Sequence, residues 1–407
     1  MENSLHFRGV MRSLMFGVAV ATAACTFSAC DNETKDVVEP EAIAQTDSQN
    51  GAIINGQYIV VFKKDGNLRM GASTTYAQRV EMVRKIGENI LSENGIQAYT
   101  VQQTYGQTVT GMAVTLSETE AAKLRNDERV DYIEPDRVVM LGKPVGGGGT
   151  TPAGQEVPYG ITRVGSASGA GKTAWIIDTG IDLDHPDLNV DVSRSRTFFT
   201  SGRDASSADD GNGHGSHVAG TIAARNNSQG VVGVAYDATV VAVKVLDSRG
   251  SGAYSGVIAG VDYVAANGKA GDVANMSLGG PVSSALDEAI IAAANKGIKF
   301  ALAAGNESTD ANNSSPAHVN HANVYTVSAM DNTDTFAYFS NFGNPPVDYC
   351  APGVNIKSTW KDGGYNTISG TSMASPHMAG LLLLGNVSTD GYVKSDPDGK
   401  ADPIAHH

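Results

Sequence analysis

The spacing of hydrophobic residues changes along the chain and separates two folded segments. The first opens with the short apolar run YIVVF. Apolar side chains then recur every three or four positions, at Tyr76, Val80, Val83, Ile86 and Ile90. A short apolar run predicts a strand, and a repeat of three to four positions predicts one face of a helix. The first segment is therefore expected to begin with a strand and a helix.

Four further elements complete this first segment. Two strand-like stretches lie within AYTVQQTYGQTVTGMAVTLS, and a capping box formed by Ser117 and Glu120 predicts the start of a second helix. The run VDYIEPDRVVML predicts a closing strand. The order β-α-β-β-α-β is that of a small ferredoxin-like α+β domain, which we place at residues 56–141.

The second segment follows a glycine-rich linker at residues 142–154. Across residues 155–385, near-continuous apolar runs such as TAWIID and TVVAVKVL alternate with helical runs at 253–267 and 284–296. Buried strands that alternate with helices predict an α/β domain whose mostly parallel sheet is covered on both faces. Residues 386–407 are mostly polar and are predicted to be a tail.

Polar residues follow three of the predicted strands of the second segment. Asp178, Ser277 and Asn306 each stand at or just beyond the end of an apolar run. Ligands of open parallel sheets bind beyond the carboxyl ends of the strands. We therefore expect these three residues to share one edge of the sheet.

The N-terminus has the pattern of an export signal, at residues 1–30. Arg12 precedes an apolar stretch that is too short for a permanent membrane span. The small residues ahead of Cys30 resemble a bacterial lipoprotein signal, which would make Cys30 the lipid-bearing first residue, and plain signal cleavage is the alternative. Residues 31–55 are polar and are predicted to be a tether. We expect export to the cell envelope or beyond it, with membrane contact only through this anchor.

Composition narrows the function further. The formal net charge is −14, so the surface would repel the phosphates of a nucleic acid. Of the three cysteines, only Cys350 lies outside the export signal, so the folded part can form no internal disulfide. Cys350 lies in an apolar run and is expected to be a buried hydrophobic residue.

Asp178, His214 and Ser372 supply the three groups that a serine nucleophile needs. A serine hydroxyl attacks a carbonyl when a histidine removes its proton, and an acid must orient that histidine. Each of the three residues alone also suits an ordinary strand end or helix start. His217 lacks the companions of a metal site and is expected to pack inside its helix.

The segments around these residues, DTGID with HPDL, GHGSHVAGT and GTSMASPH, resemble the signature blocks of the subtilase family, in that family's order. Residues 57–141 resemble the inhibitor-like propeptide of the same family. The resemblance implies a subtilisin-like three-layer fold and a serine endopeptidase made as a zymogen. It implies polypeptide substrates and inhibition by the protein's own propeptide, and we expect a monomer. Ser372 would be the nucleophile, His214 the general base and acid, and Asp178 the group that orients His214.

The resemblance also implies the rest of the substrate site. Asn306 matches the side-chain donor to the oxyanion, and two segments match edges that bind an extended peptide by backbone pairing. These edges are Gly250, Ser251 and Gly252, and Ser277, Leu278 and Gly279. Leu246, Tyr254 and Leu278 resemble the lining of the pocket for the residue four positions before the cut. Self-cleavage is expected near Leu141 or Gly142, or later in the linker.

The segment ARNNSQGVVG resembles the calcium loop of the family, and structural Ca²⁺ is the implied cofactor. The implied ligands are the side chain of Asn227, the backbone carbonyls of Arg225, Gln229 and Val231, and the residues Gln155 and Asp187. Gln155 is expected to join only after the mature N-terminus is released.

Two other functions compete with this interpretation. A catalytically silent binding protein, held closed by its propeptide, would be expected to lack a triad residue or Asn306, and all of them are present. An α/β-hydrolase esterase needs a catalytic histidine well after its serine. Beyond Ser372 the chain offers His377, which is too near on the same predicted helix, and the terminal pair His406 and His407.

Overall fold

A computed structural model describes residues 50–63, 74–142, 154–385 and 387–407. The predicted export signal, Cys30 and most of the tether and linker lie outside these residues. We call residues 50–142 the N-terminal domain and residues 154–407 the C-terminal domain. Within the described ranges, no helix combines the length and the apolar character needed to cross a membrane.

The N-terminal domain has the predicted order of elements. They are β1 (Ile53–Phe62), α1 (Tyr76–Glu93), β2 (Thr100–Tyr105), β3 (Gly111–Thr115), α2 (Glu118–Leu124) and β4 (Val130–Met140). The four strands form an antiparallel sheet in the order β4-β1-β3-β2. Capping boxes at Thr75 and Ser117 start the two helices, because each cap side chain accepts a backbone N–H of the first turn. The apolar faces of both helices pack on the sheet.

The C-terminal domain alternates strands and helices. Its helices are α3 (Tyr159–Val164), α4 (His214–Ala223), α5 (Tyr254–Asn267), α6 (Ser284–Ala294) and α7 (Thr371–Leu384). Its strands are β5 (Ala167–Ser168), β6 (Thr173–Asp178), β7 (Arg196–Thr197), β8 (Ala235–Tyr236), β9 (Thr239–Lys244), β10 (Ser251–Ala253), β11 (Val273–Met276), β12 (Gly280–Pro281), β13 (Lys299–Ala303), β14 (Ser314–Ser315), β15 (Val324–Met330), β16 (Val347–Pro352), β17 (Ile356–Trp360), β18 (Gly364–Ile368), β19 (Ser388–Tyr392) and β20 (Pro403–His406).

A nine-stranded sheet lies at the centre of this domain, in the order β19-β20-β16-β15-β13-β11-β6-β9-β7. Every pair is parallel except β19 with β20. Successive side chains of β6 enter different cores: Ile176 packs with α4 and α7, whereas Trp175 and Ile177 pack with α5 and α6. Both faces of the sheet are therefore covered, which confirms the predicted three-layer α/β fold.

The predicted polar tail is wrong in part, because residues 388–406 contribute two strands to this sheet. All five residues of β19 are exposed, which explains their mostly polar sequence. In contrast, Ile404 of β20 is buried, and the buried carboxylate of Asp402 accepts the hydroxyl of Ser328 at 2.5 Å. The backbone N–H of His407 donates to Val164 at 2.8 Å, so the end of the chain is held in place.

The two domains share a sheet. Strand β10 of the C-terminal domain pairs antiparallel with the end of β4, and Ser251, Gly252 and Ala253 stand opposite Met140, Val139 and Val138. The resulting five-stranded order is β10-β4-β1-β3-β2. We call residues 138–142, the end of the N-terminal domain, the inhibitor tail.

Candidate active site

Asp178 and His214 form a buried hydrogen-bonded pair. Strand β6 ends at Asp178 and helix α4 begins at His214, whose Nδ1 lies 2.8 and 3.0 Å from the two carboxylate oxygens. Gly215 permits this close approach, because a Cβ at that position would stand 2.0 Å from the carbonyl oxygen of Gly180. The backbone N–H of Gly215 donates to the hydroxyl of Thr179 at 2.9 Å.

Electrostatics favour the charged form of His214. Burial alone disfavours an imidazolium, but the Asp178 carboxylate outweighs it, so the pKa of His214 is raised above its ordinary value. Burial lowers the pKa of the neighbouring His217 to about 3. The Nε2 atom of His217 lies 2.9 Å from the carbonyl oxygen of Ile356, as expected for a histidine packed within the core.

Ser372 is the second residue of α7 and stands where strand β11 ends. Its hydroxyl donates to the carbonyl oxygen of Ser277 at 3.2 Å, and the hydroxyl of Ser277 donates back to the carbonyl oxygen of Ser372 at 2.9 Å. Helices α4 and α7 pack against each other. In the described part of the chain, however, no hydrogen bond joins Ser372 to His214, so the hydroxyl must turn away from Ser277 before the imidazole can accept its proton.

Asn306 has one end of its amide fixed and the other aimed at the cleft. Its Oδ1 accepts the backbone N–H of Thr371 at 2.8 Å and the hydroxyl of Thr371 at 3.0 Å. The Nδ2 group therefore remains as a donor. It lies 3.6 Å from the position that a Cβ on Gly142 would occupy. The inhibitor tail thus reaches the donor that the sequence assigns to oxyanion stabilisation.

The inhibitor tail follows the first predicted substrate edge. The N–H of Leu141 donates to the carbonyl oxygen of Gly250 at 2.9 Å, which continues the pairing of β4 with β10. A cavity of about 530 Å³ opens beside Gly142 and Ser372. Its other walls include Ser277, Leu278, Gly279, Ala303, Ala304, Gly305 and Asn306.

The residues predicted for the apolar pocket belong to the same core cluster as a side chain of the tail. Val139 is fully buried in the cluster that contains Leu246, Tyr254 and Leu278. The hydroxyl of Tyr254 donates to the carbonyl oxygen of Pro281 at 2.6 Å, so its ring is held against the cleft. The three residues predicted for this pocket therefore share one core cluster, and their role as a substrate pocket stays a prediction.

The residues predicted to bind calcium are also neighbours. The buried carboxylate of Asp187 accepts the Asn227 amide at 2.7 Å and the N–H of Val231 at 2.9 Å. The amide of Gln155 donates to the carbonyl oxygen of Arg225 at 2.8 Å. This contact forms in the uncut chain, and the expectation that Gln155 becomes a calcium ligand only after cleavage stays a prediction. Burial raises the pKa of Asp187.

One contact of the cleft was missed by sequence reasoning. Asn50, in the predicted tether, donates its amide to the carbonyl oxygen of Gly279 at 3.0 Å. Nothing in the local sequence of a polar segment indicates a contact with a residue so far along the chain. Cys350 is buried as expected, and burial raises the pKa of its thiol.

Comparisons with known proteins agree with this geometry. Residues 169–386 match the subtilase family, and residues 57–142 match the peptidase inhibitor I9 family. Alkaline serine exoprotease A of Vibrio alginolyticus is 40% identical in an alignment over 344 residues that covers 81% of this chain and 60% of that protein. Proteinase T of Parengyodontium album is 44% identical in an alignment over 268 residues that covers 62% of this chain and 84% of that protein. The crystal structure of a cold-adapted subtilisin-like serine proteinase superposes on this chain with a TM-score of 0.53 and 40% identity. The superposition covers 61% of this chain and 97% of that chain.

Proposed function

Because the chain belongs to the subtilase family and carries an I9 inhibitor domain ahead of its catalytic domain, we propose that it is a serine endopeptidase made as a self-processing zymogen. The observation that carries the proposal is the position of the inhibitor tail. It pairs with the predicted substrate edge through Leu141 and Gly250, and it brings Gly142 to Asn306.

We assign the first cut to the bond between Gly142 and Lys143. Counting back from that bond, Val139 is the fourth residue before the cut. It shares a buried core cluster with the three residues predicted to line the pocket for that position, which supports this assignment. Gly142 is the residue just before the cut and leaves the adjoining 530 Å³ cavity free for larger side chains in other substrates. An extended segment in the middle of a chain is the substrate here, which supports cleavage of internal peptide bonds.

The chemistry follows from the groups at the cleft. His214 takes the proton of Ser372 as the serine oxygen bonds to the carbonyl carbon, and Asn306 donates to the oxyanion that forms. The carbon–nitrogen bond then breaks, and His214 gives the proton to the leaving amine. His214 then takes a proton from water as the water oxygen attacks the acyl-enzyme carbonyl. The bond to the Ser372 oxygen breaks, His214 returns the proton to that oxygen, and the new carboxyl group is released. Asp178 keeps His214 oriented and stabilises its charged form.

We further propose that calcium stabilises the catalytic domain without taking part in a step. Carboxylate, amide and carbonyl oxygens are the ligands Ca²⁺ prefers, and Asp187, Asn227, Gln155 and the carbonyl of Arg225 supply them. Among the described residues no three His, Cys, Asp or Glu side chains form a metal-binding group. Calcium binding would therefore depend on these neutral oxygens together with the buried carboxylate of Asp187. The amide of Asn227, whose nitrogen now faces Asp187, would turn to present its oxygen.

The N-terminal residues support a proposal for the location of the enzyme. Residues 1–30 support export, and a lipid on Cys30 would hold the zymogen at a membrane. Since the proposed cut separates residue 30 from the catalytic domain, processing would release the protease from that anchor.

Active-site labelling tests the proposal. A serine-directed fluorophosphonate is expected to modify the processed protein, and peptide mapping should place the label on Ser372. Ser372→Ala should lose both the label and the hydrolysis of casein. Casein hydrolysis that survives in this variant would refute the assignment, whereas a wild-type chain that neither labels nor cleaves casein would support the catalytically silent alternative.

A further inference from the structure

The first three described residues of the N-terminal domain reach the predicted substrate cleft. We call these residues, 50–52, the arm; they precede the I9 match, which begins at residue 57. The side chain of Asn50 makes two hydrogen bonds. Its Oδ1 accepts the backbone N–H of Met140 at 3.0 Å, and its Nδ2 donates to the carbonyl oxygen of Gly279 at 3.0 Å. One amide thus joins the inhibitor tail to the second predicted substrate edge.

The backbone of the arm pairs with the tail as well. Gly51 donates to the carbonyl oxygen of Val138 at 2.8 Å, and Val138 donates to that of Ala52 at 2.9 Å. The guanidinium of Arg137 donates to the carbonyl oxygen of Gly51 at 2.8 Å. The inhibitor tail therefore lies between β10 on one side and the arm on the other.

Gly51 lets the arm reach this position. Its φ of +84° lies in the left-handed region, and a Cβ there would stand 2.3 Å from Cγ of Pro281. A residue with a side chain would be strained and would push the arm away from the cleft wall. The close contact with Pro281 and the pairing with Val138 fix where the Asn50 amide is presented.

We propose that Asn50 is a positioning residue for self-cleavage and that the arm is a second occupant of the substrate cleft. This inference rests on the proposed protease function. Met140 is the third residue before the assigned cut. Asn50 bonds its N–H, and the tail lines the same cavity as Ser372. The same amide uses the carbonyl oxygen of Gly279, which belongs to the edge predicted to pair with a polypeptide substrate. A substrate can therefore use both edges only after the arm has left.

An asparagine suits this bridge because its side chain offers one acceptor and one donor on two atoms bonded to the same carbon, as a peptide group does. Alanine would remove both bonds. Aspartate would keep the acceptor for Met140 but would place a carboxylate oxygen against the carbonyl oxygen of Gly279. These two substitutions of Asn50 therefore separate the two halves of the bridge.

Hydrogen exchange in the uncut chain tests the bridge. With Ser372→Ala as background, adding Asn50→Ala is expected to speed exchange of the Met140 amide about tenfold, since it loses its acceptor. Asn50→Asp should retain most of the Met140 protection. The matched control is Asn126→Ala, which removes an exposed amide that bonds Ala122 at the end of α2. Amides in the middle of β1 report whether each variant is folded.

Equal Met140 exchange in the Asn50→Ala and Asn126→Ala variants, with β1 still protected, would overturn the inference. In the cleavable chain, Asn50→Ala should slow self-cleavage several-fold and shorten the delay between cleavage and activity. A cleavage rate and a delay equal to those of wild type would also overturn it. A wild-type chain that fails to cleave itself would instead refute the protease function and leave the exchange result unaffected.

Discussion

The backbone N–H of Leu141 lies 2.9 Å from the carbonyl oxygen of Gly250, and this hydrogen bond defines the register of the inhibitor tail in the cleft. A shift by one residue would turn every side chain to the opposite face of the strand. In the observed register Val139 is buried in the core cluster that also contains Leu246, Tyr254 and Leu278. Gly142 and Ser372 line the same cavity, and the proposed first cut is at the bond after Gly142.

The cavity beside Gly142 predicts that a larger side chain at this position speeds self-cleavage. The backbone of Gly142 is not in the left-handed region, and a Cβ there would meet Asn306 at an ordinary 3.6 Å. In Gly142→Phe the ring is expected to enter the cavity, and burial of a phenylalanine contributes about 1.5–3 kcal/mol. We expect self-cleavage to accelerate by about tenfold or more, measured as loss of the full-length chain with time.

Gly154→Phe provides the matched control for that experiment. Nothing lies within 4 Å of a Cβ at Gly154, which is on the far side of the linker. This variant should process at the wild-type rate. Acceleration in both variants, or in neither, would contradict the assignment of the cavity to the residue before the cut.

Removal of the Asn306 amide should reduce turnover more than binding. The amide donates mainly to the oxyanion of the transition state, so Asn306→Ala is expected to lower kcat with little change in KM. The loss of one such donor costs about 10²–10³ in kcat, a magnitude measured in subtilisin, a member of this family. Steady-state kinetics on a peptide substrate give the two constants. Asn312→Ala, at an exposed amide outside the cavity, is the control, and an increase in KM with unchanged kcat would contradict this role.

The interface between the domains should weaken as pH rises. Burial raises the pKa values of Glu134 and Asp136, two carboxyl groups of β4 that contact the N-termini of α6 and α5. Once the domains separate, water restores pKa values near the ordinary ones, about 4. Between about pH 4 and the raised pKa values, the assembled form therefore binds more protons than the separated domains do. These protons stabilise the interface, and that stabilisation is lost as pH rises through this window.

Exchange of the β4 amides in the Ser372→Ala chain measures this effect. After correction for the intrinsic rate, protection should fall by roughly two- to tenfold between pH 4.5 and pH 7.5. Asp136→Asn should reduce the change, because a neutral amide keeps the bond from Ser255 without a titrating charge. Protection that stays constant or rises with pH would be incompatible with this prediction.

Calcium should raise the melting temperature of the processed enzyme. A ligand that binds the folded state alone at one hundred times its Kd stabilises it by about 2.7 kcal/mol. Chelation of calcium is therefore expected to lower the Tm by several degrees, and Asp187→Asn should abolish this response. Asp237→Asn, at a residue with a φ of 66° that asparagine also tolerates, should respond like wild type. An identical Tm with and without calcium would rule out the site.

The patterns that predicted correctly are local ones. The repeat from Tyr76 to Ile90 predicted α1, and Ser117 with Glu120 predicted the start of α2. Motif blocks around Asp178 and His214 predicted a pair that the structure joins at 2.8 Å. In each case the signal lies within a few residues of the element that it predicts.

The features that the sequence did not predict depend on distant partners. The exposed residues of β19 have the composition of a tail, and only pairing with β20 makes them a strand. Asn50 and Gly279 are 229 positions apart, so no periodicity connects them. The orientation of the Ser372 hydroxyl toward Ser277 is a torsion angle, which residue types do not determine.

Intact-mass analysis of self-processing tests the central claim, that Ser372 cuts the chain whose tail lies in its own cleft. Wild-type protein should yield an N-terminal fragment that ends at Gly142, while the Ser372→Ala chain should remain whole under the same conditions. A Ser372→Ala chain that is cut at the same bond, or a wild-type fragment that ends before residue 140, would contradict the account.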